Sequence, residues 1–530
     1  MSPLPETPPA KAPGLTRRSL LAGALGITAA SALTACGMGS RDVSTATSSR
    51  SSSSSSAAPE PAPAGGLGQP SVRTSAKGEL VTAFTAAVAA LPVSGASISG
   101  LTYEQALPGP TLKLSPGDVL KLKLTNNLPS SGQGQGMGNG MGQMNGMSAE
   151  PGHTNLHFHG LHVDPNGNSD NVFLDVAPGA VQDYEVRIPA DHWGGLNWYH
   201  PHRHGTVTDQ VLGGMAGAII ITGALDQVPQ IAAAADQVLV LQRVQEQRSQ
   251  LVMASTMHGN EFMSGMGNPS FTVNGMVGPS TTLRPGEVQR WRLVNADAID
   301  YFDLALVDAA GQVISGGLHL IARDGIPLPA VRSVDSQLVV PGNRVELLVQ
   351  APAAAGAFAL MGRAVQGFAH GDVPLVQVTI AGEPVNMSLP TTLPTPLQSI
   401  PASAVQHRRT VTFGSWSNQM VVNGVSFQDG PDQVDLDVGS VTEWQVQNLS
   451  PEKHAFHFHT NPFMVVAVNG VPEADPWFWD TYPIPPATAA DAPGSITIRT
   501  APKDFRGKIV QHCHILPHED AGMMGVINLV

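Results

Sequence analysis

A short segment near the C-terminus places a cysteine between two histidines, as His512-Cys513-His514, and His518 and Met523 follow it closely. A thiolate, imidazoles and a weakly bound thioether are the side chains that hold a blue copper ion in proteins. Cys513, His518 and Met523 supply those ligand types. Successive side chains of a β-strand point to opposite faces, so His512 and His514 would lie opposite the cysteine. The segment therefore predicts a strand that binds different metal ions on its two faces.

The histidines of this chain are strongly clustered. Of the 18 present, 13 fall in four windows, at 153–162, 200–204, 454–459 and 512–518. The windows make up about a twentieth of the chain, so random placement would put about one histidine in them. Histidines that only complete hydrogen bonds in a core have no reason to cluster in this way. The clustering indicates metal binding by residues that are far apart in sequence.

A weak repeat divides the folded part of the chain into three. Each unit has a short strand, a turn and a second strand with alternating apolar residues, at 111–127, 282–295 and 434–448. The spacing of about 150–170 residues predicts three related β-sandwich domains. Histidine pairs follow the first and third units, whereas the matching segment of the second, 301–305, has none. We therefore expect metal between the outer domains, with the middle domain as a spacer.

From about residue 80 to its end, the chain resembles the three-domain multicopper oxidases of the laccase and bilirubin-oxidase type. Its four histidine windows match the four copper motifs of that family. The resemblance implies an all-β fold of three cupredoxin-like Greek-key sandwiches, at 79–225, 226–385 and 386–530. It also implies an enzyme that oxidises a small reducing substrate and passes four electrons to O2, which forms water.

The resemblance further implies four copper ions per chain and assigns every motif residue to one of them. The blue copper would be bound by His454, Cys513 and His518, with Met523 as the axial ligand. A single normal copper would be bound by His157 and His457. The two ions of a coupled pair would be bound by His159, His200 and His514, and by His202, His459 and His512. Met524 is an alternative axial ligand, but the family's spacing from the cysteine favours Met523.

Proton supply and the remaining histidines are less well defined. In similar oxidases an acid after the first motif serves proton transfer, and Asp170 is the candidate here; the alternative is an Asx-turn residue on a loop. Some relatives carry a second acid just before the last histidine ligand, where this chain has Pro517. The second proton donor is therefore left unassigned.

We interpret His153, His162 and His204, which lie outside the motif positions, as surface groups or as partners of ligands.

The first 36 residues predict an export signal. Arg17 and Arg18 precede an apolar run, 20–33, that is too short to span a bilayer. The run ends in Leu-Thr-Ala-Cys36, which resembles a lipobox, so we expect export by the twin-arginine route and a lipid anchor on Cys36. A cleaved signal with a chance cysteine is the alternative. Residues 37–78, rich in Ser, Pro and Ala, are expected to form a disordered tether.

Composition limits the partners. The formal net charge of −13 argues against nucleic acid, and two cysteines do not make a disulfide framework. We expect a monomer, held at the membrane only through its lipid anchor.

The identity of the electron donor stays open. Methionines recur in a glycine-rich stretch, 137–147, and again at 253–266, and thioethers suit Cu(I). A flexible loop and ordinary packing are the alternatives for these stretches. The donor is therefore either Cu(I), as in copper-detoxifying oxidases, or a phenol or aromatic amine, as in laccases. A copper-storage or scaffold role is a third hypothesis, which the complete set of motifs disfavours.

Overall fold

The computed structural model describes residues 66–93, 95–130, 152–244, 270–416 and 419–530. The export signal, most of the tether and both methionine-rich stretches lie outside the described residues. Within the described ranges, every helix is too short or too polar to cross a membrane.

Eight strands between residues 72 and 221 form two four-stranded sheets. The strands are β1 Val72–Thr74, β2 Glu79–Val93, β3 Ala96–Tyr103, β4 Thr111–Leu114, β5 Val119–Asn127, β6 Val181–Arg187, β7 Gly195–Tyr199 and β8 Gly217–Ile221. One sheet has the order β1-β4-β8-β7 and the other β3-β2-β5-β6. A short helix, α1 Val207–Leu212, joins the last two strands.

The middle part of the chain forms a six-stranded and a five-stranded sheet. A 3-10 helix, Ala224–Gln227, and α2 Pro229–Ala232 lead into it. Its strands are β9 Ala235–Val244, β10 Ser270–Val273, β11 Ser280–Leu283, β12 Val288–Asn295, β13 Phe302–Asp308, β14 Leu318–Arg323, β15 Ile326–Val334, β16 Gln337–Val339, β17 Arg344–Gln350, β18 Gly356–Arg363 and β19 Val373–Ile380. The orders are β10-β9-β12-β17-β14-β15 and β11-β19-β18-β13-β16.

The last part repeats this arrangement. Its strands are β20 His407–Trp416, β21 Gln419–Val422, β22 Gln433–Leu436, β23 Thr442–Asn448, β24 His454–Phe458, β25 Phe463–Val468, β26 Val471–Trp479, β27 Thr481–Ile484, β28 Gly494–Thr500, β29 Gly507–Cys513 and β30 Met524–Leu529. Two 3-10 helices, Ala402–Ala404 and Phe427–Asp429, and the helix α3 Leu516–Asp520 complete it. The sheet orders are β21-β20-β23-β28-β25-β26 and β22-β30-β29-β24-β27.

The sequence repeat marks the same crossover in each part. The first strand of each unit pairs in parallel with the last strand of its own part, as β4 with β8, β11 with β19 and β22 with β30. The second strand of each unit lies in the other sheet of its part. There it pairs in parallel with an early strand, as β5 with β2, β12 with β9 and β23 with β20. The repeat is thus the point at which the chain passes between two sheets. The predicted all-β fold of paired sheets is confirmed.

Alternating side chains explain why these strands form sandwiches. In β5, Leu120, Leu122 and Leu124 are buried, whereas Lys121 and Lys123 between them are exposed. Burying each leucine stabilises the fold by roughly 1.5–3 kcal/mol. Each sandwich has its own apolar core of this kind.

The tether is shorter than the sequence predicts. Residues 66–78 belong to the fold, because Val72–Thr74 pairs in parallel with β4 as an edge strand. Arg73 also forms an ion pair at 2.7 Å with Glu104, in the turn that follows β3. Polar composition alone did not reveal that this short segment completes a sheet.

Candidate metal centre

Strands β24 and β29 bring the histidines of the third sandwich together. Across this antiparallel pair, His457 is opposite His512, and Phe456 is opposite Cys513. Every residue of β24 is buried, as is the C-terminal half of β29. Cys513 lies in the apolar core of the third sandwich. His512 points the other way, and its Nε2 is 3.2 Å from Nε2 of His202 in the first sandwich.

One group of ligand-type side chains surrounds Cys513. Its Sγ is 3.6 Å from Nδ1 of His454 and 3.7 Å from Nδ1 of His518, and these two nitrogens are 3.1 Å apart. The Nε2 atom of His454 bonds to the Ser450 hydroxyl at 2.7 Å, so Nδ1 faces the sulfur. We call Cys513, His454 and His518 the Cys513 group. The family resemblance assigns these three residues to the blue copper.

The two neighbouring methionines lie in different environments. Met523 is fully buried in the same apolar cluster as Cys513, and its carbonyl accepts a hydrogen bond from the Cys513 N–H at 3.1 Å. Met524 packs instead in a separate cluster with Val510 and Val526. This placement supports Met523 as the thioether beside the Cys513 group.

Eight other histidines, from the first and third sandwiches, converge on one buried region. They form three groups in which the ring nitrogens lie within 4.8 Å of one another. The groups are His157, His159 and His457; His159, His200 and His514; and His202, His459 and His512. We call these eight residues the histidine cluster. The family resemblance assigns these eight residues to one normal copper and a coupled pair, with His159 at the pair, whereas His159 here lies in two of the groups.

Burial keeps these imidazoles unprotonated. It is the main cause that lowers the pKa of all eight, to about 4 for His202 and His512, and neighbouring histidines lower several of them further. Burial also raises the pKa of the Cys513 thiol to about 12. A thiolate at Cys513 therefore requires a cation beside it.

The side chains fit copper on chemical grounds. Buried nitrogens usually have a hydrogen-bond partner, but among the described residues Nε2 of His157, His200 and His457 has none. Neutral imidazoles with unshared lone pairs are metal ligands, and imidazole with thiolate and thioether suits copper. The residues that would hold copper are those of the Cys513 group and the histidine cluster.

Asp170 lies beside one member of the histidine cluster. Its Oδ1 is 2.9 Å from Nδ1 of His157 and accepts a hydrogen bond from the Phe158 N–H at 2.9 Å. Burial raises the pKa of Asp170 to about 7. The carboxyl therefore orients His157 so that its Nε2 faces the cluster. Asp170 therefore contacts a member of the histidine cluster, which a residue that only forms an Asx-turn would not do.

Glu519 is a functional candidate that the sequence analysis missed. Its side chain is fully buried, with Oε2 3.1 Å from Nδ1 of His512 and Oε1 3.6 Å from Nδ1 of His202. Burial raises its pKa to about 8. Some relatives carry an acid just before the last histidine ligand, where this chain has Pro517, whereas here the acid directly follows His518. Helix α3 turns this side chain back toward the histidine cluster. The sequence signal that could have identified Glu519 is its position directly after the ligand His518.

The three extra histidines stand outside the four groups found among the described residues. Nδ1 of His153 contacts Asp175 at 2.7 Å, at the surface. His162 is buried between sandwiches, with its Nε2 2.9 Å from an Asp504 oxygen. His204 packs on the Phe427 ring at 4.6 Å. Two of the extra histidines thus pair with carboxylates, and the third packs against an aromatic ring.

Comparisons with known proteins agree with this geometry. Residues 142–225 and 393–529 match two family models that are both described as multicopper oxidase. A laccase of Haloferax volcanii is 25% identical over 461 residues, which cover 80% of this chain and 76% of that protein. A multicopper oxidase, mco, of Staphylococcus haemolyticus is 25% identical over 439 residues, covering 81% and 83%. The chain is a multicopper oxidase.

Solved structures show that this multicopper oxidase shares its fold with bacterial relatives. A laccase-like CueO from Ochrobactrum sp. superposes with a TM-score of 0.68 at 22% identity, over 88% of this chain and all (100%) of the other. That protein is described as having oxidase activity towards lignin model compounds and lignosulfonate. The cupredoxin-like fold class is confirmed, and the sequence relatives support an oxidase over the storage or scaffold hypothesis.

Proposed function

We propose that this multicopper oxidase takes single electrons from a reducing substrate at the Cys513 group and reduces O2 at the histidine cluster. Each O2 consumes four electrons and four protons and yields two waters. The observation that carries the proposal is the position of Cys513 between His512 and His514, which belong to two different groups of the cluster. Copper, when bound, supplies the reversible one-electron chemistry that the reaction requires.

We assign four copper ions to the residues that the family resemblance implies. Cys513, His454 and His518, with Met523, would hold the first. The remaining three would be held by the histidine cluster. The convergence of these side chains from distant parts of the chain supports the assignment.

Electrons enter, in this proposal, beside His518. This side chain is 9% exposed, whereas His454 and Cys513 are fully buried, so His518 is the part of the group nearest to solvent. From Cys513, the covalent path to His512 or His514 consists only of the intervening backbone and side-chain bonds. The chain itself therefore links donor oxidation to the cluster.

Protons are supplied, in this proposal, by two buried acids. Glu519 is beside His512 and His202, and Asp170 is beside His157, so they approach the cluster at different ligands. The pKa of each is raised by burial, to about 8 for Glu519 and about 7 for Asp170. Near neutral pH both can hold a transferable proton on a carboxyl oxygen.

The proposal is tested on purified protein loaded with copper. We expect four copper ions per chain, an intense blue absorption, and one O2 consumed for every four electrons taken from a donor, without release of peroxide. Copper content, visible absorption and oxygen-electrode stoichiometry measure these three properties. A blue protein that produces peroxide, or one with copper only at the Cys513 group, would contradict the proposal.

The donor is tested through the methionines of 137–147, which lie outside the described residues. If they deliver Cu(I), replacing all four with leucine lowers the rate of Cu(I) oxidation and leaves phenol oxidation unchanged. The same replacement of the four methionines of 253–266 tests the second candidate stretch separately. Steady-state rates with Cu(I) and with a phenol are measured for both variants and for the natural protein. Equal Cu(I) rates in all three proteins would show that neither methionine-rich stretch delivers Cu(I).

We also propose that the enzyme is exported by the twin-arginine route, carries a lipid on Cys36 and acts as a monomer outside the cytoplasm. The paired arginines 17 and 18 and the lipobox-like sequence support export and lipidation. Membrane fractionation of a Cys36→Ser variant tests the anchor, because the variant should leave the membrane fraction.

A further inference from the structure

Asp480 lies between two histidines that belong to different sandwiches. Its Oδ1 is 3.3 Å from Nε2 of His159, and its backbone carbonyl accepts a hydrogen bond from Nδ1 of His457 at 2.7 Å. The residue connects β26 to β27 and is 5% exposed. A single residue therefore contacts both histidines, once through its side chain and once through its backbone.

These two contacts select opposite tautomers. Asp480 Oδ1 accepts hydrogen bonds from Nη1 of Arg344 at 2.8 Å and from the Thr481 hydroxyl at 2.9 Å. Its lone pairs are then occupied, so this oxygen carries no proton to donate. In the contact with His159, the Nε2–H group is therefore the donor. A neutral imidazole carries one proton, and the other nitrogen is the metal ligand. His159 therefore presents Nδ1, which is 3.3 Å from Nε2 of His514. His457 donates from Nδ1 and presents Nε2.

The middle sandwich holds Asp480 in place. Arg344, the first residue of β17, is completely buried and donates from both Nη1 and Nη2 to the Asp480 carboxylate. The same guanidinium reaches the first sandwich, because its Nε donates to the Leu196 carbonyl at 3.4 Å. Gly160 leaves room for it, since a Cβ there would collide with Nη2. Arg344 thus joins all three sandwiches at one point.

A second acid of the middle sandwich fixes the backbone around Asp480. Asp324 Oδ2 accepts hydrogen bonds from the backbone N–H groups of Asp480 at 3.1 Å and Thr481 at 3.2 Å. Asp324 Oδ1 accepts from the Arg344 N–H at 3.0 Å. The carbonyl that bonds His457 is therefore oriented by a residue of the middle sandwich.

The turn before β17 also touches the histidine cluster directly. Gly342 has a φ of +88°, and a Cβ on it would lie 2.9–3.0 Å from three atoms of the His514 ring. The shortest of these distances is one that real Cβ atoms essentially never show, and the positive φ strains any other residue, so the position favours glycine. The expectation that the middle domain is a mere spacer is wrong at this point of the structure.

We propose that Asp480, held by Arg344 and Asp324, is a positioning residue that sets the tautomers of His159 and His457 for copper binding. The middle domain, which supplies no member of the four groups among the described residues, thereby controls the geometry of the histidine cluster. This inference rests on the proposed function, because it takes the cluster to bind copper. It predicts a defect confined to particular copper ions.

Asp480→Asn tests the inference with little change in size. The amide can turn its NH2 toward His159 and favour the wrong tautomer, whereas the backbone carbonyl that holds His457 is unchanged. We expect O2 turnover to fall about 10–100-fold, the usual effect of removing a partner of a metal ligand. Near-ultraviolet absorption of the coupled pair should weaken, while the blue absorption and the electron paramagnetic resonance signal of the normal copper persist.

Asp475→Asn is the matched control. Asp475 lies on β26 and pairs with Arg332 of the middle sandwich, so the change removes the same charge between the same two parts of the molecule, but at an exposed site. It should leave all copper signals unchanged. Arg344→Lys keeps the positive charge but loses the two-point contact with the Asp480 carboxylate, and it should weaken the same coupled-pair absorption. This variant tests the positioning role if Asp480→Asn does not fold.

The possible outcomes separate the two proposals. Unchanged coupled-pair absorption in both Asp480→Asn and Arg344→Lys would refute the positioning role. Loss of the blue copper in the same proportion as the coppers of the histidine cluster would also refute it. Natural protein that binds no copper at the histidine cluster would instead refute the proposed function.

Discussion

Replacing Cys513 with serine is expected to abolish the blue absorption and to reduce donor oxidation to background. The thiolate is the soft ligand of the Cys513 group, and a serine oxygen neither replaces its electronic coupling nor holds a copper ion in the same way. His512 and His514 keep their positions because serine fits the same strand site. Copper content should fall from four to three per chain. Visible spectroscopy, metal analysis and steady-state rates with a phenol and with Cu(I) measure the effect.

A matched control for this change is His204→Ala. His204 is a half-buried member of a histidine window that packs on Phe427 and belongs to none of the four groups among the described residues. Its replacement should leave the colour and the rate close to those of the natural protein. A serine variant that stays blue, or that still turns over donor at the normal rate, would show that electrons do not pass through Cys513.

Much of the fold could be predicted because it depends on local pattern. Alternation such as that of Leu120, Leu122 and Leu124 requires a strand with one buried face, and its repetition predicted the sandwiches. The edge strand Val72–Thr74 escaped prediction because three residues carry too little pattern. Its position depends on pairing with β4, which no local feature of the sequence shows.

The ligand residues could be predicted for a different reason. Histidine is uncommon, so clustering in four windows is a strong signal even before any fold is known. The residues that orient the ligands give no such signal. Asp324, Arg344 and Asp480 are common residue types, and Asp480 lies 136 residues after Arg344. Their contacts with one another and with the histidines form only where the sandwiches meet. Glu519 was missed because the direction of its side chain depends on one turn of helix.

Replacing Glu519 with glutamine is expected to slow O2 reduction by about 10²–10⁴-fold, the range for losing a general acid. Glutamine has nearly the same shape but cannot deliver a proton to the region of His512 and His202. Transfer of electrons from the donor should be unaffected, because the Cys513 group is unchanged. Anaerobic bleaching of the blue absorption by donor should therefore keep its rate, whereas its return after mixing with O2 should slow. Rapid-mixing absorption measurements distinguish the two steps.

Asp520→Asn provides the control within the same helix. Asp520 is a half-buried acid whose oxygens accept backbone hydrogen bonds from Gly205 at 2.6 Å and Thr208 at 2.7 Å, so it joins α3 to the start of α1. Its loss should lower the melting temperature and change the O2 step little. Glu519→Asp should recover part of the rate, since it restores an acid. If glutamine at 519 left reoxidation as fast as in the natural protein, protons would have to reach the cluster by another path, and Asp170 beside His157 would be the next acid to replace.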